Sequence, residues 1–472
     1  MKTIITTSAA QFRVQRIKYA VITSIASKVA TLSVQLLAMP IAIRSLTPER
    51  FALYAMLAAA MGWLGVANIG IGPGLVVRTA TAAASHDRAR EVRLFASALI
   101  PVLALALTLG TTLLVLLNLV PVPALFGENY ADDAMTIQAG LSILIVFVLL
   151  RAVFSVAEAA QAGYQENYFV NLRGAVSGFF SLIAVFAVSR YAPSVIGMIL
   201  AVNGPLILAQ GINTIWFLRR RPYLVPGIRD FEWQECRSLL GTGITFVLAG
   251  TVGNYLNHQF PIILIGRALD VQSTATFAAV MNVFVLAFGI VTMCALPLWP
   301  AIADSLARGE IPWARKAYRK LLSYTMLYAL AVGAILSTLG QAILPVWFGP
   351  GIAPSIPLMA TISIYFVLDT WEYSHYMVLV GLKQIRLPSL LYAARSLLVV
   401  FLTPLLVKRW GETGAVVALC VSVVLFTAWT LPYLTHRTIR QAERSNAVLP
   451  GKANQVGRIR EVTNASSDVA GD

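Results

Sequence analysis

Four cations stand where cations are costly. Lys28, Arg151, Arg173 and Arg395 each fall inside an apolar run of membrane-spanning length. A charge at bilayer depth costs about 2.5–3.5 kcal/mol on insertion scales, so it is expected to face a bundle interior or a wet cavity. Their chemistry there would be anion binding, because a guanidinium fork matches phosphate or carboxylate. Lys28 belongs to a polar stripe, Ser24, Lys28, Thr31 and Gln35, spaced to share one helix face. Arg151 lies seven residues before Glu158 and so shares a face with it. A second set is acidic. Asp369 and Glu372 are three apart in one apolar run, with His375 and Tyr376 on or near the same face. Such carboxylates either pair internally with the arginines or bind a proton or cation, and the spacing leaves both readings open. Thr251, Asn254 and His258, at i, i+3 and i+7, offer further polar lining.

The elements that must hold these groups are membrane helices. The chain has 472 residues, of which 58% are hydrophobic and only 12% charged, against about 25% charged in soluble domains. Mean hydropathy is +0.75. Long apolar runs separated by short polar connections predict an all-α integral membrane protein and exclude an outer-membrane barrel. Twelve spans are expected, near 19–43, 51–77, 94–118, 135–158, 168–189, 194–217, 238–264, 272–300, 321–344, 356–381, 387–407 and 413–435. The longest connections, 218–237 and 301–320, are too short for a soluble domain. The first 18 residues are polar and lack a signal-peptide core, so the first span is expected to remain as an anchor. Cys236, Cys294 and Cys420 show no paired spacing, which implies neither disulfides nor a metal site. Gly70, Gly72 and Gly74 surround Pro73 at the end of an apolar run, where a hinge or close helix packing explains them better than a nucleotide loop. No nucleotide-hydrolysis, hydrolase or metalloprotease motif occurs, and no cofactor is implied.

Charge orients the bundle. With the N-terminus in the cytoplasm, 26 of the 36 lysines and arginines fall on the cytoplasmic side and 6 outside. Such a bias predicts cytoplasmic termini, and places the net charge of +15 at a membrane surface rather than on nucleic acid. The chain also repeats. PALFG at 123–127 answers PVWFG at 345–349, FVLLR at 147–151 answers FVLD at 366–369, Gly163 answers Gly381, and Arg190-Tyr191 answers Arg409-Trp410. The offset of about 219 residues predicts two parallel halves. The expected organisation is a cytoplasmic N-terminus (1–18), an N-lobe (19–220), a cytoplasmic linker (221–237), a C-lobe (238–436) and a disordered cytoplasmic tail (437–472). Pseudo-symmetric lobes with ionisable groups in matching helices predict a central transport cavity between them.

The segment Arg44–Val77, RSLTPERFALYAMLAAAMGWLGVANIGIGPGLVV, together with PALFG and the repeat, resembles the Wzx-type polysaccharide and O-antigen flippases. Asn68 stands where that family usually carries an acidic residue. The resemblance implies membership of the multidrug/oligosaccharidyl-lipid/polysaccharide superfamily, and two six-helix lobes that open alternately. It implies a non-enzymatic flippase of the bacterial inner membrane. The substrate would be an undecaprenyl-pyrophosphate-linked oligosaccharide in the surrounding lipid, with a polysaccharide polymerase and a chain-length regulator as further partners. On that reading Lys28, Arg151, Arg173 and Arg395 bind the pyrophosphate. Asp369, Glu372 and His375 couple transport to an ion, and Gln35, Asn254 and His258 line the cavity. The competing functions are an ion-coupled small-molecule antiporter of the same fold and an integral membrane polymerase or ligase. The latter would need a larger outer loop.

Overall fold

In a computed structural model, residues 27–448 are described, apart from 28, 35, 65–70, 121–125, 127, 247–252, 296–301, 303, 304, 306–309, 383 and 385. The expected N-terminal segment, Lys28, Gln35 and the end of the tail lie outside the described residues.

The first half runs through α1 (Val29–Ser45), α2 (Pro48–Leu64), α3 (Ile71–Ala84), α4 (Arg88–Leu119), α5 (Ala134–Gly163), α6 (Asn167–Tyr191) and α7 (Val195–Arg220). The second follows with α8 (Trp233–Phe246), α9 (Gly253–His258), α10 (Phe260–Ala268), α11 (Val271–Ala295), α12 (Ile311–Phe348), α13 (Ile356–Gly381), α14 (Arg386–Phe426) and α15 (Thr430–Val448). Among the described residues, seven helices are long and apolar enough to cross a membrane, so this is a multi-pass membrane protein. α5 and α13 end at Gly163 and Gly381, the glycines that answer each other in the sequence repeat.

Local chemistry sets the helix ends. Asp87, Ser194 and Ser355 cap α4, α7 and α13, accepting from the amides of Arg90, Gly197 and Leu358 at 3.0, 3.1 and 3.3 Å. Proline opens α10, α12 and α13, where its missing N–H leaves no helical bond unmade. α14 bends at Trp410–Gly411, and Gly411 takes a left-handed φ of 57° that a side chain would strain.

Several expectations are corrected. The span expected at 238–264 is interrupted at Gln259, between α9 and α10. The 301–320 connection is partly helix, because α12 already begins at Ile311. The tail remains helical to Val448 rather than fraying at 437.

The halves meet through α2, which packs on α10 and α11. Small residues, Ala55 and Ala59 on α2 beside Ala38 and Ala42 on α1, let the helices approach, and Phe277, Met281 and Phe284 of α11 pack in the same core. α8 leaves the second half and packs on α3 and α4 of the first. A Cβ at Gly74 would lie 3.2 Å from the Leu239 carbonyl oxygen, so glycine supports this close crossing.

Candidate functional site

A buried polar cluster lies within the second half. Tyr365, Asp369 and Glu372 follow one face of α13, and Arg395 reaches them from α14 with 0% exposure. Its Nη2 donates to Asp369 Oδ1 at 3.2 Å and to the Tyr365 hydroxyl at 3.0 Å. Its Nη1 donates to Glu372 Oε2, and its Nε lies 3.4 Å from Ser422 Oγ. His258 of α9 closes the cluster, with Nε2 3.6 Å from Asp369 Oδ2 and 3.2 Å from the Tyr365 hydroxyl. Phe284 stacks on the His258 ring at 5.2 Å and helps keep water away.

A guanidinium this deep persists only where carboxylates and hydrogen bonds replace its hydration. The count is uneven, since two carboxylates face one arginine. Glu372 Oε1 is buried with no hydrogen-bond partner. One proton or small cation would balance the cluster and give that oxygen a partner.

A cavity of about 280 Å³ lies between the halves, just beyond His258. α1 and α2 form one wall; Gln259, α10 and α11 form the other. Its polar groups are Tyr54, Gln259 and Asn282. Towards the end of the bundle where α1 gives way to α2, Arg44 ties the halves together. Its Nη2 donates to the carbonyls of Val346 and Trp347 at 2.8 and 3.0 Å.

In the first half, Arg151 is exposed on α5 and pairs with no carboxylate among the described residues. Glu158 is bound to Arg173 instead, whose side chain is 12% exposed. Arg173 Nε and Nη1 remain buried without partners, and Arg151 is close enough to act on Arg173 electrostatically. A buried reciprocal amide pair, Gln161 with Asn213 at 2.7 and 3.2 Å, joins α5 to α7.

The structure thus brings Asp369, Glu372, Arg395 and His258 together. Arg151 and Arg173 form a separate group. His375 faces elsewhere: its Nδ1 is 2.7 Å from the Trp371 carbonyl, and its ring meets Tyr318. The side chain of Asn254 lies outside the described residues, as do Lys28 and Gln35. Sequence reading did not single out Tyr365, Ser422, Gln161, Asn213, Gln259 or Asn282. Only Tyr365 carried a signal, one helical turn before Asp369.

The connection from α7 to α8 is fastened to the first half. Arg221 forks onto Glu166 at 2.7 and 3.3 Å and lies over the Tyr164 ring. Tyr164 and Tyr223 both donate to Glu91 Oε2, at 2.6 and 2.8 Å. Burial, then the bond to Glu91, push both phenols up from their ordinary pKa. Ser97 Oγ accepts from the Glu232 amide at 2.9 Å and donates to its carbonyl at 3.1 Å. Glu235 meets Arg78 and Arg90 at 3.1 and 3.4 Å.

No family model matches the chain. A Salmonella typhi protein, provisionally named an O-antigen transporter, is 22% identical over 88% of this chain and 95% of its own. A Yersinia pseudotuberculosis protein, provisionally named an O-antigen export protein, is 19% identical over 88% and 94%. An inward-facing multidrug-resistance MATE transporter of the MOP superfamily superposes with a TM-score of 0.72, at 16% identity, over 89% of this chain and 99% of its own. A MOP-superfamily transporter from Pyrococcus furiosus, described by a reversed polarity of its binding pocket, gives 0.62 at 14% identity over 91% and 96%. The chain is therefore a multi-pass membrane protein with the fold of the MOP-superfamily transporters, and the Wzx-type resemblance read from Arg44–Val77 is matched by its relatives in sequence.

Proposed function

We propose that the protein is a flippase for surface-polysaccharide synthesis. It moves an undecaprenyl-pyrophosphate-linked oligosaccharide from the cytoplasmic to the periplasmic leaflet of the bacterial inner membrane. The observation that carries this reading is the near full-length similarity to the Salmonella typhi protein, on a fold whose two halves enclose a cavity. Both termini and the basic ends of α4 and α12 are cytoplasmic, and the lobes divide near 19–220 and 238–436. The substrate loads from the cytoplasm, while Arg44 holds the periplasmic end closed. The chain makes and breaks no covalent bond. A polysaccharide polymerase and a chain-length regulator act on the glycan after it.

Removing a pyrophosphate from water is costly unless cations replace its hydration. Arg173 supports such a role through its two unpartnered nitrogens, with Arg151 beside it, and Lys28 is proposed to join them. Gln35, Asn254, Gln259 and Asn282 offer bonds to sugar hydroxyls. With no nucleotide motif, energy comes from an ion gradient. Proton or cation binding at Asp369 and Glu372 neutralises the pair and loosens its hold on Arg395. His375 stands apart from that exchange.

The test is deletion of the gene, followed by analysis of the lipid fraction. A lipid-linked oligosaccharide should accumulate and disappear on complementation. Unchanged lipids with increased drug sensitivity would favour the small-molecule antiporter, a reading that rests on the multidrug neighbours of the fold.

A further inference from the structure

The start of α12 belongs to neither site described above. Arg315, Lys316, Arg319 and Lys320 crowd into its first turns. Arg315 is taken by Glu443 at 2.7 Å. Lys316, Arg319 and Lys320 pair with no carboxylate among the described residues. Between this segment and the end of α11 lies a cavity of about 530 Å³. Its floor is apolar, including Ile290 and Leu321, and its rim carries Trp313, Lys316, Lys320 and Tyr324. A second hollow, of about 570 Å³, opens on the other side of the same ridge and shares both lysines and Tyr324.

Depth decides what can occupy it. With 38 residues, α12 is about 57 Å long, nearly twice the roughly 30 Å hydrocarbon core. Its first turns therefore stand at headgroup level, where tryptophan, tyrosine and lysine are favoured. Further along, Leu327 and Leu330 are exposed, continuing an apolar strip into the bilayer. A soluble anion would satisfy the lysines but leave the floor uncovered, and a neutral lipid would do the reverse.

We infer that this groove binds an anionic phospholipid, with its phosphate between Lys316 and Lys320 and an acyl chain along Tyr324 and Leu327. The inference rests on the membrane-spanning reading but needs no transport activity, so the flippase reading can fail without it.

The protein is reconstituted in nanodiscs containing brominated phosphatidylglycerol or brominated phosphatidylcholine. Trp313 fluorescence is isolated as the difference between wild type and Trp313→Phe. Phosphatidylglycerol should quench this component at a several-fold lower mole fraction. Lys316→Gln/Lys320→Gln should abolish that preference, so that both lipids quench at the same mole fraction. Equal quenching by the two lipids in the wild type overturns the proposal without any lysine variant. So does a preference that survives in the double variant. Relief of phosphatidylglycerol quenching by stoichiometric undecaprenyl diphosphate would assign the groove to the substrate and overturn a phospholipid occupant.

Discussion

Arg395 and Asp369 face each other at 3.2 Å across α14 and α13, with neither side chain in appreciable contact with solvent. Glu372 binds the same guanidinium. Arg395→Ala would strand two carboxylates in a dry interior. Breaking a buried pair in this way costs about 3–5 kcal/mol. The expected result is severe loss of folded protein, measured as monodisperse yield after detergent extraction. Near wild-type yield would show that water already reaches the cluster.

Glu372→Gln makes the opposite change. It leaves one carboxylate, Asp369, for one guanidinium, and removes the uneven charge. The variant should fold at least as well as wild type, because Arg395 keeps its 3.2 Å contact with Asp369. In proteoliposomes its transport should lose dependence on a pH or sodium gradient. Unchanged gradient dependence would rule Glu372 out of coupling.

Orientation is testable with reporter fusions. Fusions after Gly127 and Gly349 should report the periplasm, and fusions after Arg221 and Lys316 the cytoplasm, as 26 cytoplasmic against 6 outer basic residues require. One fusion reading the other way would break the topology.

Gly163 has no room for a side chain. A Cβ there would come within 2.9 Å of the Val76 carbonyl oxygen and 2.7 Å of Thr79 Cβ. Gly163→Ala must force α3 and α5 apart, at about 1–3 kcal/mol for overpacking. A lowered melting temperature is expected. Gly204→Ala is the control, with nothing within 4 Å of its added Cβ.

Glu412, beside the bend at Gly411, should make stability depend on pH. Burial, aided by Asp270, pushes its carboxyl up to about 7 from 4.5. A raised acid binds more protons folded than unfolded, so its contribution falls as pH rises from about 4.5 through 7. Melting temperatures from pH 4.5 to 8 should fall less steeply for Glu412→Gln than for wild type. Parallel curves would refute the assignment.

The sequence made the charged helices conspicuous because Asp369, Glu372 and Arg395 interrupt apolar runs. It did not reveal how they pair. Arg151 and Glu158 share a face, but seven residues separate them by about 10.5 Å along the axis. Glu158 is instead taken by Arg173 on the adjoining helix. Ser422 was illegible because serine is ordinary in membrane helices, and its contact with Arg395 spans 27 residues. The early start of α12 was missed because hydropathy scores Arg315–Lys320 as loop, although lysine, arginine and alanine are good helix formers. The break at Gln259, between α9 and α10, lies in a continuous apolar run, where hydropathy has no marker for it.

The fastening of residues 221–235 to Glu91, Glu166, Ser97, Arg78 and Arg90 bears on how this protein can be recombined. A chimera that exchanges halves with a relative at residue 220 would hand one parent the bolts and the other the bracket. The seam belongs beyond Phe246, so that Trp233–Phe246 travels with the α3 and α4 surface on which it rests.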